Sequence, residues 1–212
     1  AGFRGELQHD LASRLVTATD NSVYQILPQA VAFPGSTEDV AAFMKTLARP
    51  EHQEITMAPR GGGTGTNGQS LTEGVVLDLS RRMRGILELN LEAGWVRVQP
   101  GVVLDQLNTA LKPHGVFFAP SLSPSSRATL GGMISTDACG KGSRIYGRTS
   151  EHVIELTVVL GDGAVVRTGP LDAAALEALC ARPDRCGAAH REIRRVVSER
   201  AGLIEEVFPK LR

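Results

Sequence analysis

The sequence predicts an α+β fold in two parts, a small α/β unit over residues 18–80 and a larger region over 81–212 that mixes strands, hairpins and helices. Three observations predict it. A strand, an amphipathic helix and a second strand lead into a glycine-rich loop at 59–69. Further on, Gly161-Asp162-Gly163 separates two β-rich runs, and Asp-Gly there is a strong hairpin signal. A second glycine-rich segment, 129–147, falls in the larger part, so one ligand in a cleft between the two parts is the arrangement these segments suggest.

Element by element, Leu7–Val16 reads as a short helix and Ala30–Phe33 as an apolar strand. Ser36-Thr37-Glu38-Asp39 opens a helix, with Ser36 as N-cap and Asp39 at the capping-box position. Those side chains can take up amides that a helix start leaves without partners. Val40, Phe43, Met44 and Leu47 form its apolar stripe, and Arg49-Pro50 ends it. Strands follow at Ile55–Ala58, Val75–Leu79, Ile86–Leu89 and Trp95–Val98. Val102–Leu111 reads as a helix that turns Val103, Leu107 and Leu111 inward. Phe117–Ala119 is a short strand entering the stiff turn Pro120–Pro124. The hairpin comprises Val153–Leu160 and Ala164–Thr168, and helices fill Leu171–Ala181 and Ala188–Ala201, with Pro183–Gly187 a loop.

Composition excludes several classes. The 212 residues are 42% hydrophobic and 22% charged, the balance of an ordinary globular protein. Lys and Arg match Asp and Glu at 23 each, so no basic field draws in nucleic acid. Aromatics at 4% leave little for a base-stacking surface. No apolar run approaches the roughly 20 residues of a membrane span. Arg4, Glu6, His9 and Asp10 interrupt any signal-peptide core, and a chain that begins at Ala1 reads as an excerpt. Cys139, Cys180 and Cys186 are odd in number and lack a C-x-x-C. They point to free thiols in a reducing cytoplasm, and a place peripheral to the membrane stays open beside that expectation.

The first glycine loop, Pro59-Arg60-Gly61-Gly62-Gly63-Thr64-Gly65-Thr66-Asn67-Gly68-Gln69, sits at a strand end. Without Cβ atoms its amides can approach an anion closely, and Arg60 adds a planar cation suited to phosphate. A flexible surface loop is the competing reading, but such linkers mix Gly with Ser. Gly63 to Gly68 also matches G-x-G-x-x-G, yet a strand follows at Val75 with no room for the helix that motif requires. Gly63 to Ser70 imitates a P-loop, with Gln69 where Lys is needed. The loop should therefore grip a diphosphate by backbone amides. The second segment offers Gly131, Gly132, Gly140, Gly142 and Gly147 with hydroxyls at Thr129, Ser135 and Thr136. Alone, it reads equally well as a short helix packed tightly through Gly131 and Gly132.

Pro59-Arg60-Gly61-Gly62-Gly63-Thr64-Gly65, Ala128-Thr129-Leu130-Gly131-Gly132, Tyr146-Gly147 and Asp162-Gly163 together resemble the FAD-binding domain of the vanillyl-alcohol oxidase and p-cresol methylhydroxylase (PCMH) superfamily. The resemblance runs from about Ala18 to Lys210. Ala18-Thr19-Asp20-Asn21-Ser22, Thr66-Asn67-Gly68-Gln69 and Ala119-Pro120-Ser121-Leu122-Ser123 are similar to long bacterial FAD-linked 2-hydroxyacid dehydrogenases of the D-2-hydroxyglutarate type. The resemblance implies a PCMH-type fold with FAD in the cleft between the small α/β unit and the larger part. Pro59, Arg60, Gly61, Gly62, Gly63, Thr64, Gly65, Asn67 and Gly68 would wrap the pyrophosphate. Pro120, Ser121, Thr129, Leu130, Gly131, Gly132, Ser135, Gly140, Gly142 and Gly147 would lie along the ribityl chain and ring, with Val153 and Ile204 as apolar contacts. Thr64 stands where some relatives carry a His that bonds flavin, which implies non-covalent FAD.

The resemblance further implies oxidation of a small 2-hydroxyacid, with the electron acceptor open. Leu203–Pro209 resembles the last part of the FAD domain before a substrate cap, so cap and iron–sulfur region are expected only downstream. An oxidase or nucleotide-sugar reductase of the same fold, or a nucleotide-binding module without turnover, are the alternatives. No catalytic group is assigned. His9, His52, His114, His152 and His190 are scattered and suggest no metal; His152 lies nearest the second segment. Cys139, within it, reads as a small packed residue. Arg191, Arg194, Arg195 and Arg200 form a basic helix face of the solvated kind.

Overall fold

The computed structural model describes residues 2–208, so Pro209 and Lys210 at the end of the resemblance lie outside the described residues. The chain divides into two compact units, one of residues up to 153 with 158–165, the other of 154–157 with the residues from 166 onward.

The first unit is organised by a four-stranded sheet in the order β1-β2-β4-β3. Its strands are β1 (Glu6–Gln8), β2 (Ala30–Phe33), β3 (Met57–Arg60) and β4 (Val75–Asp78). β4 is parallel to both β2 and β3, with Ala30 and Met57 each facing Val75, while β1 runs antiparallel along β2. Val31 and Val76 are fully buried and pack with Phe33. The predicted helix over Leu7–Val16 is instead β1 followed by α1 (Leu11–Thr17), because Asp10 caps the helix by accepting from the Ser13 amide. α2 (Thr37–Leu47) starts as its sequence demands: Ser36 Oγ accepts from the Asp39 amide at 3.2 Å. Asp39 reaches back to the amides of Gly35 and Arg4, at 2.9 and 2.8 Å.

β3 and its parallel neighbour β4 are joined by the 61–74 loop. A parallel pair needs a crossover of about a dozen residues or more, and here the glycine loop is that crossover instead of a helix. The rest of this unit is built on α3 (Leu104–Leu111) and α4 (Leu130–Ser135). Val102, Leu104, Leu107, Leu111, Ala128, Leu130 and Met133 are buried together. Ile86, Leu89, Val96 and Val98 close one side; they come from the antiparallel pair β5 (Ile86–Asn90) and β6 (Trp95–Val98). Each such buried Leu contributes about 1.5–3 kcal/mol.

Phe117–Ala119 forms no strand. The Asn108 side chain takes both backbone groups of Phe118, accepting from its amide at 2.7 Å and donating to its carbonyl at 3.3 Å. After the short α5 (Ser143–Tyr146), β7 (Leu156–Val159) and β8 (Val165–Thr168) form a two-stranded sheet, with Gly163 at φ +79° in the turn.

The second unit carries α6 (Ala173–Cys180), α7 (Arg185–Glu199) and α8 (Ala201–Val207). The stretch 183–187, read as a loop, largely belongs to α7, because Asp184 caps it through the Gly187 amide. The basic face of α7 is mostly engaged within the unit. Arg191 donates to the carbonyls of Cys180 and Arg182 at 2.6 Å each, Arg194 pairs with Glu177 at 2.6 Å, and Arg195 pairs with Glu192 and Glu199.

Candidate functional site

The candidate site begins where β3 ends. Arg60 is its last residue, and the guanidinium is turned into the protein. Nη1 donates to the Thr17 carbonyl at 3.4 Å and to Ser70 Oγ at 3.3 Å, and Nη2 donates to the Thr19 carbonyl at 2.8 Å. Asp20 accepts from Ser70 Oγ at 3.2 Å and from the Ser22 amide at 2.8 Å. Burial pushes the Arg60 pKa down, Asp78 and Asp20 push it up, Arg127 pushes it down, and the net direction is downward. Arg60 was read from the sequence as a phosphate cation. In the structure its side chain ties the loop to residues 17–20, and Tyr24 of the same N-terminal strap packs over Gly68.

Beyond Arg60, the loop lies against the start of the second glycine segment. A Cβ on Gly62 would overlap the Arg127 carbonyl, and one on Gly61 would overlap Thr129 Oγ1. Thr129 is buried, and its hydroxyl sits between Gly61 and Gly132. These glycines are therefore needed first for contact between two pieces of chain. At Gly63 φ is +64°, a conformation that only glycine adopts without strain. The amides of Gly61, Gly62, Gly63, Thr64 and Gly65 find no hydrogen-bond acceptor among the described residues, although all five residues are half-buried. Successive backbone amides that the protein itself leaves free can serve an anion. The diphosphate of a dinucleotide fits this role. Asn67 differs, since its amide donates to Gln69 Oε1 at 3.0 Å.

α4 presents two faces. Leu130 and Met133 enter the core, and the amides of Leu130 and Gly131 are spent on the carbonyls of Val102 and Pro100, at 2.8 and 2.9 Å. A Cβ on Gly131 would stand 2.6 Å from Pro100 Cβ. The tightly packed short helix is thus what forms here. Its other face, Gly132, Ser135 and Thr136, is exposed. The two hydroxyls donate back to the carbonyls of Gly131 and Gly132, at 2.9 and 3.0 Å, which leaves a low, small-residue surface over which a planar group can lie.

Farther along, Gly140 meets the chain at Ser121, whose carbonyl a Cβ would overlap, so Pro120 and Ser121 are brought beside the second segment. Pro120 and Ser121 also line a cavity of about 250 Å³ with Phe117, Phe118 and Tyr146. Gly142 lies against the Tyr146 ring, and Gly147, at φ +72° and ψ −156°, turns the chain beyond it. His152 Nε2 lies 2.6 Å from the Tyr146 carbonyl, so that nitrogen carries the proton and donates; the ring meets Phe118 edge-on. Val153 is half-buried after this turn. Ile204 is carried by α8 of the second unit and is half-buried there. Arg127 escaped the sequence reading; the signal was its place directly before Ala128-Thr129-Leu130-Gly131-Gly132.

Amides without acceptors at a strand end, a second glycine segment against them and a small-residue helix face are features that a dinucleotide-binding protein of the flavin type would need. Residues 28–169 match the FAD binding domain family, and the chain belongs to that family. It is 57% identical to D-2-hydroxyglutarate dehydrogenase of Pseudomonas putida over 211 residues, 100% of this chain and 21% of that protein. It is 49% identical to D-2-hydroxyglutarate dehydrogenase of Escherichia coli over 210 residues, 99% of this chain and 21% of that protein. The chain thus spans about a fifth of the length of these curated relatives. Among solved structures, 6-hydroxy-D-nicotine oxidase from Arthrobacter nicotinovorans superposes with a TM-score of 0.68 at 22% identity, covering 78% of this chain and 36% of that one. Identity that low speaks for the fold alone. The α+β, PCMH-type fold and FAD as cofactor are as the sequence predicted.

Proposed function

We propose that this chain is the FAD-binding part of a flavoprotein dehydrogenase that oxidises a D-2-hydroxyacid, of the D-2-hydroxyglutarate or D-lactate type, to the 2-oxoacid. The observation that carries the reading is likeness along the whole chain to D-2-hydroxyglutarate dehydrogenases. FAD, when bound, supplies the two-electron chemistry, and the protein binds, orients and tunes it. In this reading the amides of Gly61 to Gly65 hold the diphosphate. Gly132 and Ser135 on the exposed face of α4 would help hold the flavin end of the cofactor. Pro120, Ser121, Gly140, Gly142 and Gly147 shape the site farther along. Thr64 offers no imidazole, so the cofactor is held non-covalently. Arg60 and Asp20 hold the loop in place.

Oxidation of the hydroxyacid also needs a base within about 2.6–3.2 Å of the hydroxyl. His152 is not arranged as one at Nε2, which donates to the Tyr146 carbonyl. The base and the groups that bind the substrate carboxylate belong, in this reading, to parts of the protein outside these 212 residues. A reducing cytoplasmic setting is part of the same reading; its support is the free thiols of Cys139, Cys180 and Cys186. Among the described residues no helix is long and apolar enough to cross a membrane.

The test is anaerobic mixing of the intact flavoprotein with D-2-hydroxyglutarate, D-lactate and their L-enantiomers while the flavin absorbance is followed. Bleaching by a D-hydroxyacid is expected. Bleaching by none of them, or by the L-forms alone, would defeat the assignment. The 212 residues by themselves, loaded with FAD, should not be bleached at a useful rate.

A further inference from the structure

The site as built has donors for an anion but lacks the cation that the sequence assigned to it, because Arg60 is spent on Thr17, Thr19 and Ser70. One other guanidinium belongs to this corner. Arg127 is exposed, and its side chain makes no hydrogen bond or ion pair among the described residues. Its main chain is fixed, however: the amide donates to the Pro124 carbonyl at 2.9 Å, and its carbonyl sits where a Cβ on Gly62 would be. Arg127 is therefore anchored at the rim of the unpaired amides, with a free head group. Its charge is felt at Arg60, whose protonated form it disfavours. A guanidinium without a partner, beside backbone amides that find no acceptor among the described residues, is suited to an anion. Asp20 and Asp78 balance Arg60 from the protein side.

We propose that the Arg127 guanidinium, at the rim of the 61–65 amides, makes the charged contact to the diphosphate of the bound cofactor. The proposal rests on the FAD reading of this loop. Arg60 then positions the loop, and Arg127 meets the ligand. A planar fork of donors is suited to two diphosphate oxygens at once. Held from one side by amides and from the other by a side chain free to swing in, the diphosphate is enclosed after it arrives.

The experiment uses the intact protein stripped of flavin. Parent, Arg127→Gln and Arg127→Lys are titrated with FAD and ADP, which carry the diphosphate, and with riboflavin and adenosine, which do not. Each titration is run at low and at raised salt. Arg127→Gln should weaken FAD and ADP roughly ten- to a hundredfold and leave riboflavin and adenosine unchanged. Arg127→Lys should recover part of the loss. The dependence of FAD affinity on salt should be shallower in Arg127→Gln than in the parent, since one screened contact is gone. That slope is read from FAD alone and decides the case even where the diphosphate-free ligands bind too weakly to measure. Equal FAD affinity and equal salt slope in parent and Arg127→Gln would overturn the proposal. An equal loss for riboflavin would overturn it too, because it would report a damaged site and not a lost charge. A parent that binds FAD beside an unaffected variant removes only the role of Arg127; a parent that binds no FAD removes the reading beneath it.

Discussion

Gly62 shows how a glycine expected to face a ligand can also be demanded by the packing of the chain itself. From the sequence its missing side chain made room for phosphate oxygens. The structure puts the Arg127 carbonyl in that space. Gly62→Ala should therefore destabilise the fold itself by about 1–3 kcal/mol, the usual cost of overpacking, besides losing FAD. Urea denaturation without flavin measures this; a change within about 0.5 kcal/mol would show that the contact yields freely. The tie that Arg60 makes was not legible in the sequence, for a related cause. Its partners, the carbonyls of Thr17 and Thr19, lie more than forty positions away, and nothing in the local sequence announces them. Asp20 completes that latch. Burial acts to raise its carboxyl pKa, but hydrogen bonds from Ser22 and Ser70 and the charge of Arg60 outweigh it and hold the group below its usual value. A carboxyl depressed in the folded state stabilises fully above its unfolded value of about 3.9. That contribution fades as pH falls through the lower folded value. The stability difference between parent and Asp20→Asn should thus shrink as the pH drops below about 4; a difference that stays constant there would remove Asp20 from the latch.

At the scale of elements, the decisive one is the crossover from β3 to β4. Its ends are ordered by parallel pairing, with Met57 facing Val75 and Arg60 facing Asp78, while its middle leaves amides unpaired. Amides without partners exchange rapidly. Those of Gly61 to Gly65 should exchange fast in flavin-free protein and become protected when FAD is added, whereas the amides of β4 stay protected throughout. Hydrogen exchange read by mass spectrometry over the 57–78 peptide checks this, and an unchanged loop on FAD addition would contradict the assignment. Elements whose signals are local were legible. Ser36 and the apolar stripe of α2 announce that helix, and Asp162-Gly163 announces the turn between β7 and β8. Elements decided by distant partners were not. Leu7 lies in β1 because it pairs with Ala32, and Phe118 leaves the strand conformation predicted for it because Asn108 takes its backbone groups. The start of α7 was in principle readable, since Asp184 is an ordinary N-cap, but Pro183 and Gly187 beside it signalled a loop.

For the molecule as a whole, the strongest sequence signal was the coexistence of two glycine segments far apart in the chain. The fold unites them: Gly61 and Gly62 lie against Arg127 and Thr129, and Ser121 lies against Gly140. That meeting is a property of chain topology, which is why the sequence could imply a shared ligand but could not say which glycines serve the ligand and which serve each other. Family membership rests on the same stretch, residues 28–169. The central claim is that this stretch holds FAD, by amides and without a covalent bond. The most direct test is to denature the purified protein with heat or acid, separate the polypeptide and identify the released flavin. FAD in the supernatant and a colourless polypeptide are the predicted result; flavin that stays with the polypeptide, or FMN in place of FAD, would contradict it.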